Sequence, residues 1–226
     1  MGKNKTTIVL SVILAIAVIA AIAFFILWNQ SQSQVQQANL NFDITPAQMF
    51  ANQFQILFQE HTYLLADLGR RSLTNTSSSS FNSTLTALNN NINQVGQLLT
   101  PIYGSNASEF ISLWNIKTAQ LINYSTSLKN NDPNALAYYN AAQSAYVPQV
   151  VAFWTSTANP YPVLSQELTQ QLTSSTSGGV KAAIDDWYAG NYDQYYVDLA
   201  GALNSSDNYA NIVSTAMIQQ NPQLFQ

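Results

Sequence analysis

The sequence predicts an all-α protein: a single N-terminal transmembrane helix followed by an antiparallel up-down bundle of about five to six helices. Three observations predict it. An uncharged apolar run lies near the start of the chain. Beyond it, apolar residues recur three and four apart, the period of one helix face, punctuated by Pro and Gly. No segment alternates with period two, as a half-buried strand would.

The apolar run extends from Ile8 to Trp28, 21 residues with Ser11 its only polar side chain. At 1.5 Å per residue it is roughly 31 Å long, the thickness of a bilayer's hydrocarbon core. Trp28 stands where an interfacial aromatic belongs. Lys3 and Lys5 precede the run and no cation follows it until Arg70. The positive-inside rule therefore places the N-terminus in the cytoplasm and the rest outside. A cleaved signal peptide is the rival reading. Its apolar core is usually shorter, about 7–15 residues, and Phe24 to Trp28 lacks the small residues of a cleavage site. The expected organisation is a cytoplasmic stub (1–7), an anchor (8–28), a Gln-rich polar stalk (29–44) and an extracytoplasmic bundle (45–226). A stub of seven residues is too short for a signalling output.

Thr45-Pro46 opens the first bundle helix as an N-cap followed by Pro at its first position. Phe50, Phe54, Leu57, His61, Leu64 and Leu68 then form one stripe, and Gly69 is the expected stop. Leu73 to Ser83 reads as a loop. A second helix carries Leu85, Leu88, Ile92, Val95 and Leu98 and ends before Pro101 and Gly104. A third runs from about Asn106 to Lys129, with Phe110, Leu113, Trp114, Leu121, Tyr124 and Leu128 inward. Asp132-Pro133 opens a fourth, carrying Leu136, Tyr139, Tyr146, Val150 and Phe153, with a kink expected at Pro148. Asn159-Pro160-Tyr161-Pro162 is a break. A fifth runs from about Val163 towards Tyr188, split or bent at Gly178-Gly179. The last covers Asn191 to Asn221, with an interruption expected at Ser205 to Asp207.

Composition narrows the function. The chain has no cysteine, which excludes disulfides, thiolate metal sites and a cysteine nucleophile. Only 8% of residues are charged, so Asn, Gln, Ser and Thr make up the polar surface. Beyond the anchor the net charge is −6 and no basic patch occurs, which disfavours nucleic acid as a partner. A surface of amides and hydroxyls does not titrate, which suits an acidic habitat.

Several short motifs resemble those of an uncharacterised family of small bacterial all-helical proteins, common in bacilli. Leu57-Phe58-Gln59-Glu60-His61 resembles that family's L-W-x-x-H, and Pro101-Ile102-Tyr103-Gly104 its P-Y-Y-G. Ala158-Asn159-Pro160-Tyr161-Pro162 resembles its A-N-P-x-W-P, Gly190-Asn191-Tyr192 its G-N-Y, and Gln220 to Phe225 its Q-F-P-x-x-F. The resemblance covers about residues 50–226. It implies a helical bundle and no activity, because the labels its members carry, glycosyltransferase and kinase, disagree. It also implies histidines on the third and fifth helices, where this chain has Thr118 and Thr176.

Candidate chemistry is sparse. His61, the only histidine, is either a base or metal ligand or a packed, hydrogen-bonded core residue, and its stripe favours the second. Its neighbour Glu60 points elsewhere, since adjacent helical residues do not share a face. Asp185, Asp186, Asp193 and Asp198 read as solvated helix ends around Gly190 rather than as a carboxylate site. No nucleophile elbow, S-x-x-K or phosphate loop occurs. Tyr188, Tyr192, Tyr195 and Tyr196 form either core or a face for sugars or proteins. Glycosylation sequons fall at Asn29, Asn75, Asn82, Asn106, Asn123 and Asn204. No cofactor, metal site or catalytic residue is expected. The expectation is a membrane-anchored, non-enzymatic surface bundle acting as a structural or interaction module with protein or glycan partners. The alternative is a bundle that binds a small molecule or sugar.

Overall fold

The computed structural model describes residues 44–155 and 164–226, and these form helices without a strand among them. Six α-helices follow in order: α1 (Pro46–Ser72), α2 (Ser79–Tyr103), α3 (Ala107–Lys129), α4 (Ala135–Thr155), α5 (Gln166–Ala189) and α6 (Tyr192–Gln220). Short 3₁₀ turns lie at Gly104–Asn106 and Pro222–Leu224. The anchor, most of the stalk with its Asn29 sequon, and the Asn159 to Pro162 break lie outside the described residues. Among those described, no helix is long and apolar enough to cross a membrane.

The first helix starts as its sequence specifies. The Thr45 hydroxyl accepts from the Gln48 backbone N–H (3.2 Å), and the Gln48 side chain accepts from the Thr45 N–H (2.9 Å). This reciprocal box satisfies two donors that a helix start otherwise leaves unpaired. Ser78 caps α2 and Ser165 caps α5 in the same way, with one hydroxyl each.

Successive helices run antiparallel. The α1–α2 pair is fixed by Asp67 against Thr84 and by Leu57 against Asn91. Gln120 reaches Ala142 between α3 and α4, and the Tyr139 hydroxyl donates to the Ser177 carbonyl between α4 and α5. The last helix returns beside the first. Phe225 packs on Phe50 (4.9 Å between ring centroids), and Gln59 bonds to Asp207. One end of the bundle thus holds Ile44, the start of α1 and the end of α6. The other holds the α1–α2, α3–α4 and α5–α6 turns.

Apolar stripes meet inside. Phe54, Leu65, Leu88, Ile92, Leu99, Phe110, Phe153, Trp154, Ile184 and Met217 are all buried. Each such side chain contributes about 1.5–3 kcal/mol of hydrophobic stabilisation relative to exposure. Leu136, expected inward, is 53% exposed, because Asp132 forms a local turn with Asn134 and the helix proper starts only at Ala135.

Four expected helix breaks do not occur. Gly69 lies inside α1, not at its end: a Cβ there would sit 2.3 Å from Ile184 Cδ1. The glycine admits α5, so its role is close packing rather than termination. Likewise α5 runs unbroken through Gly178 and Gly179, the latter pressed against Ala202 of α6. The second helix continues past Pro101 to Tyr103, and α6 is continuous through Ser205 to Asp207. The fourth helix has Pro148 in its interior, as expected. Tertiary packing over these spans outweighs the local cost of the breaking residue.

Candidate functional site

Midway along the bundle the apolar stripes carry a polar layer. His61 of α1 is 2% exposed and stacks on Trp114 of α3, with ring centroids 3.7 Å apart. One turn on, Lys117 is also buried. Asn91 of α2 lies beside them, its amide donating to the Leu57 carbonyl and to Glu60. From the opposite side come hydroxyls. Thr62 donates to Ser206 (2.9 Å), which donates to the Phe58 carbonyl (2.8 Å). The Trp154 indole N–H donates to the Tyr209 hydroxyl (2.8 Å), which also meets Thr173. Thr118 and Thr176 bond back to their own helices, at Trp114 and Leu172.

Two members of this layer are unsatisfied. Neither ring nitrogen of His61 has a hydrogen-bond partner, and Asn91 Oδ1 has none. The sequence stripe indicates a packed, hydrogen-bonded histidine; it is packed on Trp114, with the Asn91 side chain as its polar neighbour. Burial first, then the charge of Lys117, holds its pKa well below the ordinary 6.5, although Asn91 pulls the other way. His61 is therefore neutral at pH 7. Lys117 forms no ion pair among the described residues, and burial alone brings its pKa down to about 8. It still carries its proton at neutral pH.

His61, Lys117, Tyr146, Thr173, Thr176 and Tyr209 line a small space of about 20 Å³. That is room of the order of one water-sized particle. Among the described residues no group of three or more His, Asp or Glu side chains is placed to hold a metal.

The second polar concentration is at the far end of the bundle. Asp67 accepts from Arg70, Arg71 and Thr84. Burial pushes its carboxyl up, but the hydrogen bonds from Arg71 and Arg70 outweigh this and hold it below the ordinary range. Arg70 in turn lies 4.7 Å over the Trp187 ring, a cation–π contact. Trp187 gathers Tyr192 (4.8 Å) and Tyr195 (5.1 Å), and Tyr195 touches Tyr196 (5.1 Å). Of the four sequence candidates, Tyr195 is core, whereas Tyr188, Tyr192 and Tyr196 are exposed. Tyr188 stands apart at the same end, bonding Asn131. Tyr63 of α1, also exposed, borders Tyr195 and Arg70.

The late carboxylates divide. Asp185 takes the Lys181 ammonium and the Tyr124 hydroxyl. Asp186 is held above the ordinary carboxylate range, by desolvation first and then by hydrogen bonding with Asp198. Of the sequons, Asn75, Asn82, Asn123 and Asn204 are exposed and Asn106 is half-buried.

Sequence reasoning missed Lys117 and Asn91. The signal existed: Lys117 sits four residues from both Leu113 and Leu121, on the inward stripe of α3. No protein-family model, no curated protein and no solved structure matches the chain.

Proposed function

We propose that the protein is a membrane-anchored, non-enzymatic surface bundle that works by contact, through the exposed aromatic face at the end of the bundle opposite Ile44. The carrying observation is the cluster of Tyr63, Tyr192 and Tyr196 around Trp187 and Arg70. Tyr, Trp and Arg dominate the energetically important positions of protein interfaces. Ring packing and the cation–π contact hold Arg70, Trp187, Tyr192 and Tyr196 beforehand, so less conformational entropy is lost on binding.

The anchor reading rests on the run from Ile8 to Trp28 and the lysines before it. Within the bundle, Ile44 and the aromatic face lie about a helix length apart, since the 27 residues of α1 span about 40 Å. The family resemblance fits a bundle and supplies no activity. Against catalysis stands the small size of the space at His61, about 20 Å³.

A second reading keeps the bundle as a receptor for a sugar or other small molecule. It is favoured by an open groove of about 660 Å³ between α4 and α5, with a Val147, Pro148 and Val151 floor and a Gln143, Gln166, Gln170 and Ser174 rim. Site-specific photo-crosslinking in the native membrane separates the two. A crosslinker at Tyr196 should trap a protein partner and one at Gln170 should not. Trapping a glycan at Gln170, with nothing at Tyr196, would replace the first reading with the second.

A further inference from the structure

The strongest unexplained chemistry in the molecule is the polar layer around His61. Two groups on different helices, His61 and Lys117, line one small space. The ring nitrogens of His61 have no hydrogen-bond partner within ordinary geometry, although Asn91 lies beside them, and no carboxylate pairs with the Lys117 ammonium among the described residues. The two come from α1 and α3, elements otherwise joined there by the stack of His61 on Trp114. An uncompensated charge in a bundle interior is costly, and native proteins pair such charges.

We propose that this space is a binding site for a single monatomic anion of chloride size, held by the Lys117 ammonium and the His61 N–H. The sign of the charge selects the class. A cation would meet an ammonium at close range, and the nearby carboxylate of Glu60 is already engaged by Asn91. Water would satisfy His61 but leave the ammonium unneutralised. The space, about 20 Å³, is of the order of one small particle, which favours a single small ion over a larger molecule. The hydroxyls of Tyr146 and Tyr209 line the same space, with Tyr209 also meeting Trp154 and Thr173. The bound anion would tie α1, α3, α4 and α6 together at mid-height, and the identity of the salt, not only its strength, would set the stability of the bundle.

The test is thermal unfolding of the purified full chain in sodium chloride against sodium gluconate at equal ionic strength and pH. At a hundredfold excess over the dissociation constant, chloride should raise Tm by roughly 5–10 °C over gluconate, and bromide should act similarly. Crystals grown with bromide should show anomalous scattering within hydrogen-bond reach of Lys117 Nζ. Lys117→Met, neutral and of similar length, should melt alike in both salts. Should that variant fail to fold, the bromide signal of the unmodified chain decides alone. Superimposed chloride and gluconate melts with no bromide in the cavity would mean water alone occupies it and would overturn the proposal, as would a halide response surviving in Lys117→Met.

Discussion

At the end where α1 begins, the aromatic residues pack on one another inside. Phe50, Phe54 and Phe58 follow one another along α1 at centroid distances of 5.8 and 4.4 Å. Phe110 touches Trp114, Phe153 and Trp154 at 4.7–5.4 Å. At the opposite end the rings stand outside: Tyr63, Tyr192 and Tyr196 are each more than half exposed, with Trp187 and Arg70 beneath them. The same chemical class thus serves two purposes. At one end it excludes water and holds the helices together. At the other it is packed only from below, so truncation there removes little buried area. Stability should reside in the first region and recognition in the second.

The largest effect should come from emptying the first region. Trp154 is fully buried and its indole N–H donates to Tyr209. Trp154→Ala should cost about 3–5 kcal/mol, through a cavity and an orphaned hydroxyl. Urea unfolding would show this as a lower midpoint with little change in slope. A cost below about 1 kcal/mol would mean that the aromatic interior does not carry the stability assigned to it.

The polar layer between the two regions should respond to pH. The unfolded chain takes up a proton at His61 near pH 6.5, but the folded chain does so only well below that value. Stability should therefore fall as the pH drops below 6.5, by up to about 1.4 kcal/mol per pH unit until the folded pKa is reached. Lys117 acts in the same direction at higher pH: with a folded pKa of about 8 against 10.5, stability should rise between those values. Chloride-free buffers keep the two trends separate from anion binding. His61→Phe should flatten the acid limb. An acid limb unchanged in that variant would remove His61 as its cause. The surface, poor in titrating groups, suits an acidic medium, but the interior opposes it.

Gly69 tests how closely the helices approach near the far end. Gly69→Ala would press a methyl group into Ile184 and should cost about 1–3 kcal/mol by overpacking, measured by chemical denaturation. This residue also marks how far the sequence reveals the fold. The helical stripes and the Thr45 cap are legible because they follow from local periodicity and local hydrogen bonds. The continuations through Gly69 and Gly179 are not, because each is packed against a helix distant in sequence. A glycine that stops a helix and one that admits a partner look the same in a linear string. The site divides in the same way. His61 stands out as the one polar interruption of its stripe. Lys117, by contrast, reads as a surface lysine unless its spacing to Leu113 and Leu121 is weighed above its charge.

A smaller effect is expected at Asp67, whose carboxylate binds two arginines and Thr84 at the margin of the aromatic face. Water reaches part of it, so Asp67→Asn should cost only about 1–2 kcal/mol. Its folded pKa is depressed, so its contribution is present above about pH 4 and is lost as the pH falls through the folded value. Denaturation of the variant and the parent, compared at pH 7 and at successively lower pH, should converge once the pH passes below the folded value of Asp67. A gap that persists there would assign the loss to packing rather than to the ion pairs.

The smallest effect on stability should come from the exposed tyrosines, and there the comparison between the two ends is decided. Tyr192→Ala and Tyr196→Ala remove rings that are 54% and 62% exposed, and each should shift unfolding by no more than about 0.5 kcal/mol. If these rings meet a partner, Tyr192→Ala should no longer let a crosslinker at position 196 trap the protein that the parent captures in its membrane, nor Tyr196→Ala one at position 188, while Trp154-dependent stability stays intact. A variant that unfolds readily would place Tyr192 and Tyr196 with the interior aromatics, as structural residues that happen to be visible. A variant that is stable and still captures the partner would move recognition off this face. Only a variant that stays folded and fails to capture the partner separates the two uses of aromatic residues along one bundle.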